Sequence, residues 1–170
     1  IEESISSRKK WFPYNKGGAY RKWYGNYDYI VNWENDGYEI KNFKDSNGKV
    51  RSRPQNTDYY FREAITWSLI TSGGFSTRYR EPGSIHDVSG MSAFSNDHNQ
   101  LMRIMALLNS PVGEHCFKML NPTINLQVGN VKVFPVLHSA IEAPTWDSLI
   151  QNLVKLTKQD WNSEEQRWGF

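Results

Sequence analysis

The chain has 170 residues, 38% of them hydrophobic and 22% charged, enough for one buried core that needs no covalent staples. Twenty Lys/Arg against 18 Asp/Glu leave a net charge of +2, too little to hold a polyanion by charge alone. The single cysteine, Cys116, rules out an internal disulfide and a cysteine-built zinc site, and it reads as a buried thiol on a helix.

In chain order, Ile1-Glu2-Glu3-Ser4 lacks the basic-then-apolar order of a secretory leader. No apolar run is long enough to cross a bilayer, so a soluble chain with no membrane partner is expected, and the lone cysteine fits a reducing cytoplasm. Trp11 to Asn26 then interleaves six aromatic residues with Lys16, Arg21 and Lys22 and with three glycines. Such a stretch suits a surface that meets a polyanion, with cations on phosphates and rings on bases; its competitor is an aromatic mini-core with snorkelling cations.

From Tyr27 to Phe43 the alternation of Tyr29, Val31 and Trp33, with Asp36-Gly37 as a type I′ turn, predicts a β-hairpin that sets Trp33 opposite Ile40. Asp45-Ser46-Asn47-Gly48 predicts a second tight turn, leading into the basic edge Arg51-Ser52-Arg53-Pro54. Thr57-Asp58 caps a short helix to about Glu63, and Ile65, Trp67 and Leu69 alternate as a strand that Gly73-Gly74 ends. Short strands are expected around Phe75 to Tyr79 and Ser84 to Val88, separated by Glu81-Pro82-Gly83.

The second half turns helical. Ser95-Asn96-Asp97 offers caps for a helix whose apolar face is Leu101, Ile104, Met105 and Leu108, and Ser110-Pro111 starts another, the two meeting at Asn109. Asn121-Pro122-Thr123 ends the second, Val131 to Val136 reads as a strand, and Pro144-Thr145 opens a last helix with Leu149, Leu153 and Leu156 inward. Charge follows the same division: residues 1–80 carry 14 Lys/Arg against 9 Asp/Glu, whereas residues 81–170 carry 6 against 9. The fold class is therefore α+β, with short strands and hairpins first and amphipathic helices after.

Catalytic signatures are sparse. His86, His98, His115 and His138 fall in different elements, where surface or cap roles are expected, and neither glycine doublet opens a nucleotide loop. Asp28 with Glu39 and Lys41 echoes the Asp…Glu-x-Lys spacing of Mg²⁺-dependent nucleases, but a hairpin would set the two carboxylates about 20 Å apart. No Pro-Pro pair exists, so the tetrad with which amino-methyltransferases grip a base is missing, and Asn121-Pro122-Thr123-Ile124 does not replace it. No catalytic residue, metal or cofactor site is assigned to these residues.

The strings Lys10-Trp11-Phe12-Pro13-Tyr14-Asn15-Lys16-Gly17-Gly18, Arg21-Lys22-Trp23-Tyr24-Gly25-Asn26 and Val31-Asn32-Trp33-Glu34-Asn35-Asp36-Gly37 resemble the C-terminal half of PglX-type adenine-specific DNA methyltransferases. These belong to bacteriophage-exclusion (BREX) systems and are also labelled methylase subunits of type II restriction enzymes. Tyr59-Tyr60-Phe61-Arg62-Glu63, Asp87-Val88-Ser89-Gly90 and Leu120 to Asn130 continue the resemblance across essentially the whole chain.

What the resemblance implies is a piece of a larger enzyme, beyond its catalytic domain, with the fold of TaqI-like and type I specificity-subunit target-recognition domains. Residues 1–140 would form that domain and 141–170 its helical extension. The parent would use S-adenosylmethionine; the partners would be double-stranded DNA, the catalytic domain of the same polypeptide and other defence-system subunits.

On that reading Lys10, Lys16, Arg21, Lys22 and Lys41 are the phosphate contacts. Arg51, Arg53, Arg78 and Arg80, on turns or strand ends, are candidates for guanine, and Asn121, Asn125, Gln127 and Asn130 for adenine. Tyr14 and Tyr24 would lie at the DNA edge, whereas Trp11, Trp23 and Trp33 would be structural. A module that docks another defence subunit or the parent's catalytic domain is the alternative.

Overall fold

The computed structural model describes residues 6–164, so the leader reading at Ile1 to Ser4 and the last residues of the 141–170 extension lie outside them. Strand β1 (Trp11–Asn15) is central in the first sheet, antiparallel to β2 (Tyr29–Asn32) with Trp11 opposite Asn32 and Tyr14 opposite Tyr29. Its other neighbour is β5 (Ile85–His86), parallel and meeting it only at Tyr14 and Asn15. Pro13 thus lies where β1 has a single neighbour, which a residue without an N–H tolerates.

In the second sheet β3 (Ala64–Ser68) runs between β4 (Arg78–Arg80) and β6 (Gly90–Ala93), antiparallel to both. All five residues of β3 are buried, because both faces of that sheet are covered. Ile65 and Trp67 face the main core with Leu101, Met105, Leu108 and Phe117, and Trp67 donates its indole N–H to the Leu126 carbonyl at 2.9 Å.

The helical half follows its caps. After the segment α1 (Glu34–Lys41), helix α2 (His98–Asn109) starts at Asp97, whose side chain accepts from the Gln100 amide. Helix α3 (Pro111–Leu120) starts at Ser110 with proline in its first turn. Two short helices follow, α4 (Val128–Lys132) and α5 (His138–Glu142), and then the long α6 (Asp147–Asn162). Helix α6 packs on α2, clamped where Arg103 meets Asp147 at 2.6 Å.

Several expectations are corrected. The hairpin over 27–43 does not form: β2 pairs with β1, and Asn35, Asp36 and Gly37 all take positive φ inside α1. The tolerance of Asp-Gly for positive φ serves a left-handed turn instead, laying Gly37 so close to Trp33 that a Cβ would stand 2.7 Å from the indole. Trp33 and Ile40 still share a cluster with Phe12, Tyr60 and Ile85.

The helix expected to reach Glu63 is a 3-10 turn, Thr57–Tyr59, ended by extended Tyr60 and followed by Phe61 at φ 66°. The Val131–Val136 strand is replaced by α4, nucleated by a capping box of Gln127 and Asn130, after which Phe134 stacks on Phe117. On α6 the inward residues are Ile150 and Trp161, while Leu149 and Leu156 face out. Cys116 is half-buried on α3, and β6 had no sequence signal.

Candidate nucleic-acid interface

Thr66 and Ser68 point to the face of β3 opposite the core, where they meet β1 and the loop 16–26 across a layer of polar side chains. Asn15, 1% exposed, is its hub. Its Nδ2 donates toward Thr66 Oγ1 at 2.6 Å, the Gly90 carbonyl at 3.1 Å and Ser92 Oγ at 3.3 Å, all in the other sheet. The His86 Nδ1 lies 3.4 Å away. Buried polar groups require such partners, so the layer fixes how the two sheets sit.

Arg78 and Arg80 are completely buried here, correcting the expectation that they stand on accessible turns. Alternation along β4 turns both inward. Arg78 donates to the Arg21 carbonyl and to Ser68 Oγ, each at 3.3 Å. Arg80 donates to Ser84 Oγ at 2.9 Å and to the Asn26 carbonyl at 3.2 Å, with its guanidinium 3.6 Å from the Tyr27 ring centroid. Burial, reinforced by the neighbouring Arg80 and Arg21 charges, lowers the Arg78 pKa to about 10, so it stays protonated at neutral pH.

The loop 16–26 is thus tied inward. Tyr24 is buried and donates to Glu81 at 2.9 Å, which corrects its placement at an exposed edge. Lys22 donates to the Asn109 carbonyl at 2.8 Å, satisfying the C-terminal end of α2. Arg21 pairs with Asp160 at 3.2 Å and lies over Trp161, and Lys41 pairs with Asp36 at 2.6 Å. Asn121 donates to the Asn125 carbonyl, while Gln127 and Asn130 cap α4; the Asn125 side chain is exposed.

Half-buried His86, between the two sheets, corrects the surface or cap role expected of it. Burial first, and the nearby Arg80 charge second, lower its pKa to about 4, against 6.5 in an unfolded chain. The unfolded state therefore takes up the proton first as pH falls. The stability this neutral histidine lends is complete above pH 6.5 and lost progressively towards pH 4, about 3 kcal/mol in all. Urea unfolding of His86→Gln is expected to show a flatter stability profile than the parent between pH 6.5 and 5.

Two surfaces remain for an external partner. On the first sheet Trp11 is 54% and Tyr29 51% exposed, contrary to the structural role expected of Trp11. Lys10 lies 5.9 Å from the Trp11 ring and Lys16 5.8 Å from the Tyr14 and Tyr29 rings. Lys10 also has Glu34 at 3.9 Å, a loose surface pair.

The second surface is a hairpin built on the foreseen Asp45–Gly48 turn, where Asp45 Oδ1 accepts the Asn47 and Lys49 amides and Lys44 bridges to Val50. Lys44, Lys49, Arg51 and Arg53 are exposed along it, with Asp45 3.9 Å from Arg51. Lys44 and Lys49 escaped the sequence reading, although flanking a tight turn was signal enough.

A cleft of about 590 Å³ opens beside the base of that hairpin, between Ser52–Asn56 and the first sheet. Tyr14 lines it and hydrogen-bonds Asp87; burial, then this bond, raises the tyrosine pKa. For Asp87 burial opposes ionisation, but hydrogen bonds from Tyr14 and Ser89 and the Lys16 charge outweigh it and lower its pKa. Among the described residues no cluster of His, Cys, Asp and Glu could hold a metal; Glu39 accepts from Asn32 instead, against the nuclease reading. Nor is any described helix long and apolar enough to cross a membrane.

No family profile matches the chain. Over nearly its whole length it is nevertheless similar to a segment of two proteins named adenine-specific methyltransferases. It is 43% identical over 98% of its residues to "Adenine-specific methyltransferase PglX" of Lacticaseibacillus casei (strain Zhang). It is 37% identical over 95% of its residues to "Adenine-specific methyltransferase BrxX" of Escherichia coli O9:H4 (strain HS). The match spans 14% and 13% of those relatives' lengths.

Proposed function

We propose that this chain is the DNA-facing target-recognition segment of an adenine-specific methyltransferase of a phage-exclusion system, and that it lacks catalytic residues of its own. The observation that carries it is the pairing of exposed rings with exposed cations: Trp11 and Tyr29 beside Lys10 and Lys16, together with the hairpin bearing Lys44, Lys49, Arg51 and Arg53. Cations position a protein on phosphates and planar side chains pack on sugars and bases. Transfer from S-adenosylmethionine would take place in the parent's catalytic domain. The fold proposed is the recognition type of TaqI-like enzymes and type I specificity subunits, over 1–140 with 141–170 as its extension.

A second reading rests on a different face. Trp146, Leu149 and Leu156 are more than half-exposed or nearly so at α6, a surface suited to docking the parent's catalytic domain or another defence subunit.

Fluorescence anisotropy with random duplex over a salt series tests the first reading. Binding at about 50 mM salt that weakens steeply with salt is expected, with Lys16→Ala reducing the log–log slope by about 0.9. No binding at low salt would overturn it, and salt-indifferent binding to the parent's catalytic domain would favour the docking face.

A further inference from the structure

The cleft between the hairpin and the first sheet is bordered by His86, Gly90 and Ser92 of the polar layer and by Arg53 of the hairpin. Its interior is aromatic: Trp33 and Tyr60 meet edge to face at 5.1 Å, and Tyr59 tilts against Phe94 at 4.9 Å. Trp33 and Tyr60 are buried while Tyr59 is 44% exposed, so the rings run from the floor of the cleft to its mouth. The Arg62 guanidinium lies 5.3 Å from the Tyr59 ring.

Polar groups converge on this aromatic slot. The Asp87 carboxylate lines it, accepting from Tyr14 and from the Ser89 amide and keeping lone pairs for another donor. Asn56 is held at φ 53° and ψ 41° with its side-chain amide unpartnered among the described residues, and Arg53 beside it is likewise unpaired and exposed. Asparagine takes the left-handed conformation readily, and the exposed Asn56 amide is open to a ligand at the cleft.

Aromatic walls, a carboxylate and an amide for a hydrogen-bonding edge, and a cation at the mouth together match one chemical class. We propose that the cleft binds a single unstacked nucleobase with its phosphate: the rings pack on the base, Asp87 and Asn56 hold its edge, and Arg53 faces the phosphate. A volume of about 590 Å³ lies in the ordinary range for a ligand site of that size. A base inside a paired duplex cannot enter such a slot without unstacking, which costs a few kcal/mol, whereas an unpaired base has met that cost already. The base reaches the cleft either as a free mononucleotide or as an extrahelical base of DNA; the second source rests on the DNA-facing reading above.

The test compares three probes on the full 170-residue chain: a fully paired duplex, the same duplex with one unpaired purine, and free deoxynucleoside monophosphates followed by calorimetry. The unpaired-base duplex is expected to bind about 10-fold more tightly than the paired one, the worth of one base–aromatic contact. Tyr59→Ala and Asn56→Gly should each remove that preference; the first replaces an exposed ring and the second keeps the left-handed backbone, so both variants stay folded. Mononucleotide binding that the same substitutions weaken would show that free nucleotides suffice, and its absence alongside the preference would make DNA the source.

Equal affinity for the two duplexes without mononucleotide binding would overturn the cleft proposal while leaving duplex recognition intact. A preference unchanged in both variants would overturn it too. If neither duplex binds, mononucleotide binding sensitive to the two variants would sustain the cleft and remove the DNA-facing reading; no binding of any probe would remove both.

Discussion

Asn15→Leu is expected to destabilise the chain by about 3 kcal/mol, a large share of the stability of a domain of this size. The substitution keeps the branching and the number of heavy atoms, so none of the loss comes from a cavity. It removes the amide donor to Thr66 Oγ1 and Ser92 Oγ, while the Gly90 carbonyl keeps the Ser92 hydroxyl, and a buried acceptor that loses its donor bears its desolvation cost. Asn15 also belongs to β1 while its partners belong to β3 and β6, so the loss falls on the joint between the two sheets. Urea unfolding followed by tryptophan fluorescence measures it, and a loss below about 1 kcal/mol would mean that the layer is hydrated and not dry.

The larger effect on binding is expected from the hairpin. Replacing Lys44, Lys49 and Arg51 together by alanine should lower the salt slope by about 2.7 and weaken duplex binding by about 10²- to 10³-fold at 0.1 M salt. The two affinities should converge as salt approaches 1 M, because the lost contribution is counterion release. All three side chains are exposed and leave the core untouched, so the thermal midpoint should move little. A slope equal to that of the parent chain would take the hairpin out of the interface.

These experiments separate cations that sequence reasoning had grouped together. Lys16 and Arg21 lie five residues apart in one basic, aromatic stretch, yet Lys16 is exposed over two tyrosine rings and Arg21 is tied to Asp160 and Trp161 on α6. Arg51 and Arg80 both looked like turn arginines; one is exposed and the other completely buried. Local sequence carries the cation but not the element that comes to cover it.

Where structure depends on near neighbours it was legible. The Asp97 and Ser110 caps, Pro111, the Leu101–Met105–Leu108 face and the Asp45–Gly48 turn act within a few residues and form as expected, and the Ile65–Trp67 strand forms without Leu69. Asp36-Gly37 shows the limit: its positive φ was readable, but whether that φ closes a hairpin or a left-handed turn was settled by Trp33 packing on Gly37 and by β1 claiming β2. On α6, Leu149–Leu156 and Ile150–Trp161 form neighbouring stripes, and the surface offered by α2 chose between them.

By itself, then, the sequence determined the α+β class, the helix caps, the basic and aromatic character of the first half and the kinship with PglX and BrxX, because composition, periodicity and identity are local or additive properties. Tertiary structure alone decided which cations face water. Pairing β1 with β2 and β5, and laying the loop 16–26 over Thr66 and Ser68, drew Arg78 and Arg80 inward while leaving Lys16 and the hairpin lysines outside. A buried charge is stable only where carbonyls, hydroxyls and a ring converge on it from distant parts of the chain, and that convergence exists only in the folded molecule.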